Sequence, residues 1–274
     1  MDLRRKLHGL GLHVDAVRML FRSRMDLSII IPCYNEAENV SRLAETLFPV
    51  VEALAQTQTV EVVLIDDGSS DDTLARLEAL AAQRPEVCVV RHEQNRGLGA
   101  AMRTGYAHAR GAVLVTTDSD GTYPFTEIPH MLALLTPQVD LVAASPYHPQ
   151  GGVEGVPRYR LILSQGASLL YRVLLKWDIH TYTAMFRAVR REVALHTPSE
   201  ATGFLMPAEF LANALLLGYR VAEFPTVLHV RRYGQSKARV ARIILAHLRF
   251  QARLLGYRLT GRKPQPKKSA AESK

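Results

Sequence analysis

The stretch "TTDSDGTYP", residues 116–124, follows an apolar run at 112–115 and turns at once through Gly121 to Pro124. The run reads as a buried strand. At its carboxyl end stand Asp118 and Asp120, one residue apart, where two like charges raise each other's cost of ionisation unless something positive lies between them. The same layout occurs three times upstream. Residues 28–31 run into "PCYNEAENV", a turn feeding a helix to about Leu54, and residues 60–65 run into "DDGSSDDT", with Ser70 or Asp71 expected as a helix cap. Residues 87–91 run into "NRGLGAAMRTGYAHARG", a glycine-entered helix. Strand, loop and helix in this alternation predict an α/β domain with a mostly parallel sheet. Ligands of such sheets bind outside the carboxyl ends of the strands, where "NE", "DDGS", "NRG" and "DSD" all fall.

Downstream of Leu141 the order loosens. A Gly/Pro-rich loop precedes a helix expected over 161–176, "GFLMPAEFLANALLLGYRV" predicts another, and "AEFPTVLHVRRYGQSK" a strand with a basic loop. A last helix, from Ala238, puts Val240, Ile243, Ile244, His247, Leu248, Gln251, Leu254 and Leu255 on one face and Arg239, Arg242, Arg249 and Arg253 on another. The expected organisation is a basic amphipathic segment at 1–26, a catalytic domain at 27–237, a basic amphipathic helix at 238–258 and a disordered basic tail at 259–274.

Charge narrows the partners. The 274 residues carry a net charge of +8 and a pI of about 9.7, which favours an anionic partner. A nucleic-acid-binding module is the non-enzyme rival that charge alone suggests, but no nucleic acid partner is expected, because the chain has one Trp and lacks the aromatic interleaving of single-strand binders. Cys33 and Cys88 form no metal or disulfide pattern and read as buried thiols of a reducing compartment. No window approaches the roughly 20 apolar residues of a membrane span, and the N-terminus lacks the continuous apolar core of a secretory signal, so a cytoplasmic location is expected.

An Asp-x-Asp at a strand end offers hard oxygen ligands to Mg²⁺ or Mn²⁺, whose shell substrate phosphates can complete. Together, "SIIIPCYNEAENV", "EVVLIDDGSSDDT", "NRGLGAAMRTGY" and "VTTDSDGTYP" resemble an inverting family 2 glycosyltransferase with a GT-A, Rossmann-like nucleotide-sugar fold. The later "RYRLILSQGASLLYRVLL" and "RRYGQSK" are similar to the subgroup of dolichol-phosphate mannosyltransferases and polyprenyl-phosphate sugar synthases. The resemblance implies that Pro32, Tyr34 and Glu36 contact the nucleotide and that Asp67 holds its base or ribose. It implies that Asp118 and Asp120 bind the metal, and that Arg160, Ser164, Arg231 and Lys237 meet phosphate groups. Gly97 and Gly99 read as close-packing positions near the donor; the third glycine of a dinucleotide fingerprint is missing. Thr122 stands where the subgroup often has Gln, and "TYTAMF" replaces its usual "D-x-x-S-G-F" before Arg187.

The acceptor can be argued separately. A sugar hydroxyl needs a base to remove its proton, yet Pro207 occupies the position of the acidic residue that family 2 polysaccharide synthases resemble one another in having. Glu209, two residues on, is the base of the rival reading, transfer to a hydroxyl. A phosphate monoester, with a second pKa of about 6, is already largely ionised and needs cations instead. Arg158, Arg160, Arg172, Arg187, Arg231, Arg232 and Lys237 supply them. The expected reaction moves a hexose from GDP-mannose, or secondly UDP-glucose, to a polyprenyl phosphate at the cytoplasmic membrane face. The last helix could bind an anionic membrane surface, pack on the domain or a second subunit, or do both; a separate membrane anchor is a further possible partner.

Overall fold

A computed structural model describes residues 25–230 and 240–266. The expected segment at 1–26, except its last two residues, lies outside them, as do Arg231, Arg232, Lys237, Arg239 and the end of the tail.

The sheet begins with β1 (Leu27–Cys33), followed by α1 (Ala37–Thr46) and α2 (Phe48–Ala55), then β2 (Val60–Asp66), α3 (Thr73–Gln83), β3 (Val87–Arg91), α4 (Leu98–His108) and β4 (Val113–Thr116). A 3₁₀ turn and α5 (Ile128–Leu134) lead to β5 (Leu141–Ser145), β6 (Gly152–Glu154) and α6 (Arg158–Leu174). The chain continues through β7 (Arg187–Arg190), α7 (Arg191–His196), α8 (Met206–Leu216), β8 (Val221–Pro225), β9 (Val227–His229) and α9 (Val240–Thr260). Seven strands form one sheet in the order β3-β2-β1-β4-β7-β5-β8, with β6 and β9 paired apart from it. Pairs β1–β2, β1–β4, β2–β3 and β5–β8 are parallel; β7 runs antiparallel between β4 and β5.

Strand order reverses at β1. From there β2 and β3 build outward on one side and β4 on the other, so a crevice opens between the carboxyl ends of β1 and β4. Alternation along β1 explains why the sheet is covered on both faces: Leu27, Ile29 and Ile31 pack with Leu43 and Phe48, whereas Ile30 packs with Met102, Tyr106 and Phe210. Helix α4 comes unusually close, because a Cβ on Gly105 would stand 2.4 Å from Ile30 Cγ2. On that same side Glu61 is buried but paired, taking the Ser28 hydroxyl at 2.6 Å and the Arg110 guanidinium at 2.7 Å. Burial pushes its carboxyl up, and these partners outweigh burial and hold it below its ordinary value.

Some expectations shift. Helix α3 is flanked by Asp72, and it is the carboxylate of Asp71 that takes the Thr73 N–H, at 3.0 Å. Helix α6 begins three residues early, directly after Pro157, whose fixed φ suits a helix entrance. Cys33 is buried, but Cys88 is exposed, since β3 is the edge strand. Helix α9 reaches Thr260, beyond the expected end at 258. It docks on α6 through His247, Phe250, Gln251 and Leu254, leaving Ile244, Leu248 and Leu255 and its arginines exposed. No helix among the described residues is long and apolar enough to cross a membrane.

Candidate active site

At the reversal point lies a cavity of about 450 Å³. Pro32, Tyr34 and Glu36 enter it from the end of β1, Asp67 from β2, Gly97 from the start of α4, and Asp118 and Asp120 from β4. Three strand ends and the entrance of α4 thus deliver the predicted residues to one place. Ser164 joins them from α6, its hydroxyl 2.7 Å from that of Thr183.

The loops at this end are tied to each other. Asn35 sits at φ 52°, a left-handed conformation that Asn tolerates. Its N–H donates to Ser69 Oγ at 2.9 Å and its Oδ1 accepts the Ser70 N–H at 2.7 Å, joining the β1 and β2 loops. Asp67 joins β2 to the glycine-rich loop. Its Oδ1 takes the Arg96 N–H at 2.9 Å and a nitrogen of the His92 ring at 2.7 Å, and its Oδ2 takes the Gly97 N–H at 2.8 Å. The other His92 nitrogen lies 2.9 Å from Thr104 Oγ1 on α4. A carboxylate accepts about four hydrogen bonds, so Asp67 shapes the loop and keeps capacity for a ligand.

Glycine is required here by contact. A Cβ on Gly97 would meet the Thr202 carbonyl oxygen at 2.5 Å, and one on Gly99 the Ala201 carbonyl oxygen at 2.1 Å. Gly97 lines the cavity; Gly99 does not, and serves only the packing of α4 against residues 201–206.

Asp118 and Asp120 form a hard-oxygen donor set that fits a divalent cation such as Mg²⁺ or Mn²⁺. Asp120 is buried, and its Oδ1 accepts both the N–H of Thr122, at 3.0 Å, and the Thr122 hydroxyl. Thr122 therefore orients the carboxylate. Sequence reasoning missed His229, which lines the same cavity and donates its backbone N–H to the Thr122 carbonyl at 3.0 Å. The signal for it was the basic "LHVRRYGQSK" run, in which only the arginines and lysine drew notice.

A second trough of about 680 Å³, with fewer carboxylates in its lining, shares Asp118, Thr122, Tyr147 and Ser164 with the first and continues between α6 and α9. Ile162, Leu170, Ile244 and Leu248 line it. Burial pushes the Tyr147 phenol above its ordinary value at the junction.

The expected supply of cations needs correction. Arg187 is fully buried, donating to the carbonyls of Pro207 and Tyr182, and burial brings its guanidinium down to about 10. It braces β7 against α8 and cannot reach a substrate. Arg172 lies over the Trp177 ring at 4.3 Å, donating to the Trp177 carbonyl, away from both cavities. Among the residues whose side chains are described, no Arg or Lys lines either cavity. Arg160 lies in the first turn of α6; Arg231 and Lys237 fall outside the described residues. Glu209 is buried, and its Oε2 takes the N–H groups of Glu200 and Ala201, each at 2.8 Å. It lines neither cavity.

The profile of glycosyl transferase family 2 matches residues 28–196. The chain belongs to this family. Within family 2 it is 33% identical over 233 residues to a dolichol-phosphate mannosyltransferase of Pyrococcus furiosus, covering 84% of this chain and 64% of that one. It is 36% identical over 216 residues to a polyprenol monophosphomannose synthase of Mycolicibacterium smegmatis, covering 76% of this chain and 79% of the other. The chain thus spans just under two thirds of the Pyrococcus relative. Among solved structures it is similar to glucosyl-3-phosphoglycerate synthase from Mycobacterium tuberculosis in complex with Mg²⁺ and UDP. That likeness has a TM-score of 0.63 at 21% identity and covers 88% of this chain and 84% of that one. It establishes the GT-A fold. The family match covers the loops that carry Tyr34, Asp67, Asp118 and Asp120.

Proposed function

We propose that this family 2 chain transfers a hexose, with inversion, from a nucleotide sugar to a polyprenyl phosphate, and that the sugar is mannose from GDP-mannose. The observation that carries the reading is the junction of the two cavities. A cleft lined by Glu36, Asp67, Asp118 and Asp120 opens directly into a trough lined along α6 and α9 by Ile162, Leu170, Ile244 and Leu248, the shape wanted by an acceptor with a phosphate head and a hydrocarbon tail. The similarity to a dolichol-phosphate mannosyltransferase and a polyprenol monophosphomannose synthase supports the acceptor class and the sugar.

In this reading the nucleotide lies along Pro32, Tyr34, Glu36 and Asp67. Asp118 and Asp120 would hold Mg²⁺ or Mn²⁺, which when bound neutralises charge on the leaving diphosphate. An oxygen of the acceptor phosphate attacks the anomeric carbon; that C–O bond forms as the bond to the diphosphate breaks, and the configuration inverts. The protein contributes position above all. Ser164 sits at the junction to meet the acceptor phosphate, with Arg160, Arg231 and Lys237 assigned as its cations. No base is needed, because the nucleophile is already ionised.

Exposed apolar side chains on α6 and α9, among them Ile162 at 69% and Leu248 at 51% exposure, adjoin the exposed Arg242, Arg249 and Arg253. This surface supports peripheral docking on the anionic cytoplasmic face of a membrane, where each basic residue adds roughly 1 kcal/mol. Replacing Glu209 with Gln tests the acceptor class. Transfer to phosphate should survive in whatever fraction of the protein folds, whereas a hydroxyl glycosyltransferase using Glu209 as base would lose its turnover while still binding donor.

A further inference from the structure

Outside both cavities, three side chains from distant parts of the chain converge. His148 comes from the loop after β5, His180 from the segment before β7, and Glu223 from β8. One ligand atom from each lies within 4.8 Å of the other two. The set is partly ordered already. Glu223 Oε1 takes the N–H groups of His180, at 2.8 Å, and Thr181, at 2.9 Å, which fixes the plane of the carboxylate. Its Oε2 lies 2.7 Å from His180 Nδ1, and the side chains are only 5% and 20% exposed. The His148 ring meets the His180 ring edge-on at 5.2 Å, and its Nδ1 accepts only a long 3.2 Å bond from the Gln150 N–H.

We infer that His148, His180 and Glu223 form a second divalent-cation site, selective for an imidazole-seeking ion of the Zn²⁺ class and separate from the Asp118–Asp120 pair. Two imidazoles and a carboxylate are a donor set that Zn²⁺ takes in preference to Mg²⁺. The ion takes the place of the hydrogen between His180 Nδ1 and Glu223 Oε2, and the neutral imidazole then carries its single proton on Nε2. Ligands around tetrahedral Zn²⁺ stand roughly 3.4 Å apart. The His180–Glu223 pair therefore opens slightly, and His148 closes in. The two backbone N–H groups on Oε1 act as the outer support that orients a metal carboxylate.

The site bears on the reaction centre through one residue. Tyr147, adjacent to His148, lines both cavities, and its N–H donates to Thr181 Oγ1 at 3.2 Å. A bound ion would clamp residues 147–148 to residues 180–181 and so stiffen the wall at the junction. This inference does not depend on the proposed acceptor.

The test is titration of the full chain with Co²⁺, as a spectroscopic substitute for Zn²⁺, in excess Mg²⁺ to occupy oxygen sites. We expect one equivalent to give the intense visible band of low-coordinate Co²⁺ with nitrogen ligands, with a rise in Tm. His148→Ala should weaken binding at least tenfold, and Glu223→Gln, which keeps an acceptor for the two N–H groups, should do the same. The Asp118→Asn/Asp120→Asn double variant should keep the band. Absence of the band in the wild-type chain overturns the inference. So does a band of equal affinity in His148→Ala, or one lost with the two aspartates.

Discussion

In the aspartate-bearing cavity, single side chains hold several loops at once: Asp67 gathers His92, Arg96 and Gly97, while Asn35 spans to Ser69 and Ser70. Along the trough between α6 and α9 the joints are sparse. Helices α6 and α9 meet through the Tyr171–His247 pair at 2.9 Å and through Gln251 and Arg258 donating to the carbonyls of Ala167 and Val173. One wall is preset by directional bonds and the other rests on packed area. The contrast suits the two substrates proposed, since a nucleotide has fixed polar edges to match, whereas a hydrocarbon chain offers only surface.

The largest effect should come in the aspartate-bearing cavity, beside the junction. Asp120→Asn removes a charged oxygen from the proposed metal site and is expected to lower kcat on the order of 10²–10³-fold with little change in Tm, as loss of transition-state charge stabilisation typically does. Steady-state kinetics beside a melting curve would check both halves of that statement.

The next test loosens the packed wall by pH. Burial brings the His247 imidazole down to about 4, so the folded chain keeps it neutral where the unfolded chain, near 6.5, takes up a proton. Stability contributed by neutral His247 is full above about 6.5 and is lost as pH falls to about 4, by up to roughly 3 kcal/mol. Denaturant titrations across that window should show the slope, and His247→Asn should flatten it.

Tightening the preset wall should matter as well. Gly99→Ala drives a Cβ to 2.1 Å from the Ala201 carbonyl oxygen and 2.8 Å from Met206 Cβ. A loss of about 1–3 kcal/mol is expected, with weaker nucleotide binding as the glycine-rich loop shifts. Gly256→Ala, which would meet nothing within 4 Å and lines neither cavity, is the control, and calorimetry with donor would compare them. Smallest of all, Leu248→Ser removes one exposed apolar contact and should weaken binding to anionic vesicles only a few-fold, about 1 kcal/mol.

The same contrast explains what could be read from the chain. Strands β1 to β4 and their polar ends were legible because apolar runs and turn residues are local signals. Tyr34, Asp67, Asp118 and Asp120 could be placed because each closes such a run. Pairings set by distant contacts were hidden. Nothing local says that β7 runs antiparallel between β4 and β5, or that Arg187 is sealed beneath the Pro207 and Tyr182 carbonyls when it reads as one surface charge among many. Glu209 reads as a free base until the loop at 200–201 is seen to use it as an anchor. His148, His180 and Glu223 are separated by up to 75 positions, and only the sheet brings them together.

The central claim is transfer to a lipid phosphate across the junction of the two cavities. It is tested most directly by offering a short polyprenyl phosphate with a panel of nucleotide sugars and Mg²⁺ or Mn²⁺, and reading products by mass spectrometry, with Asp120→Asn and EDTA alongside. A glycosyl-phosphate lipid should form from GDP-mannose and vanish in both controls. If a nucleotide sugar binds tightly but no lipid phosphate is glycosylated, while a hydroxyl acceptor is, the account of the trough is wrong.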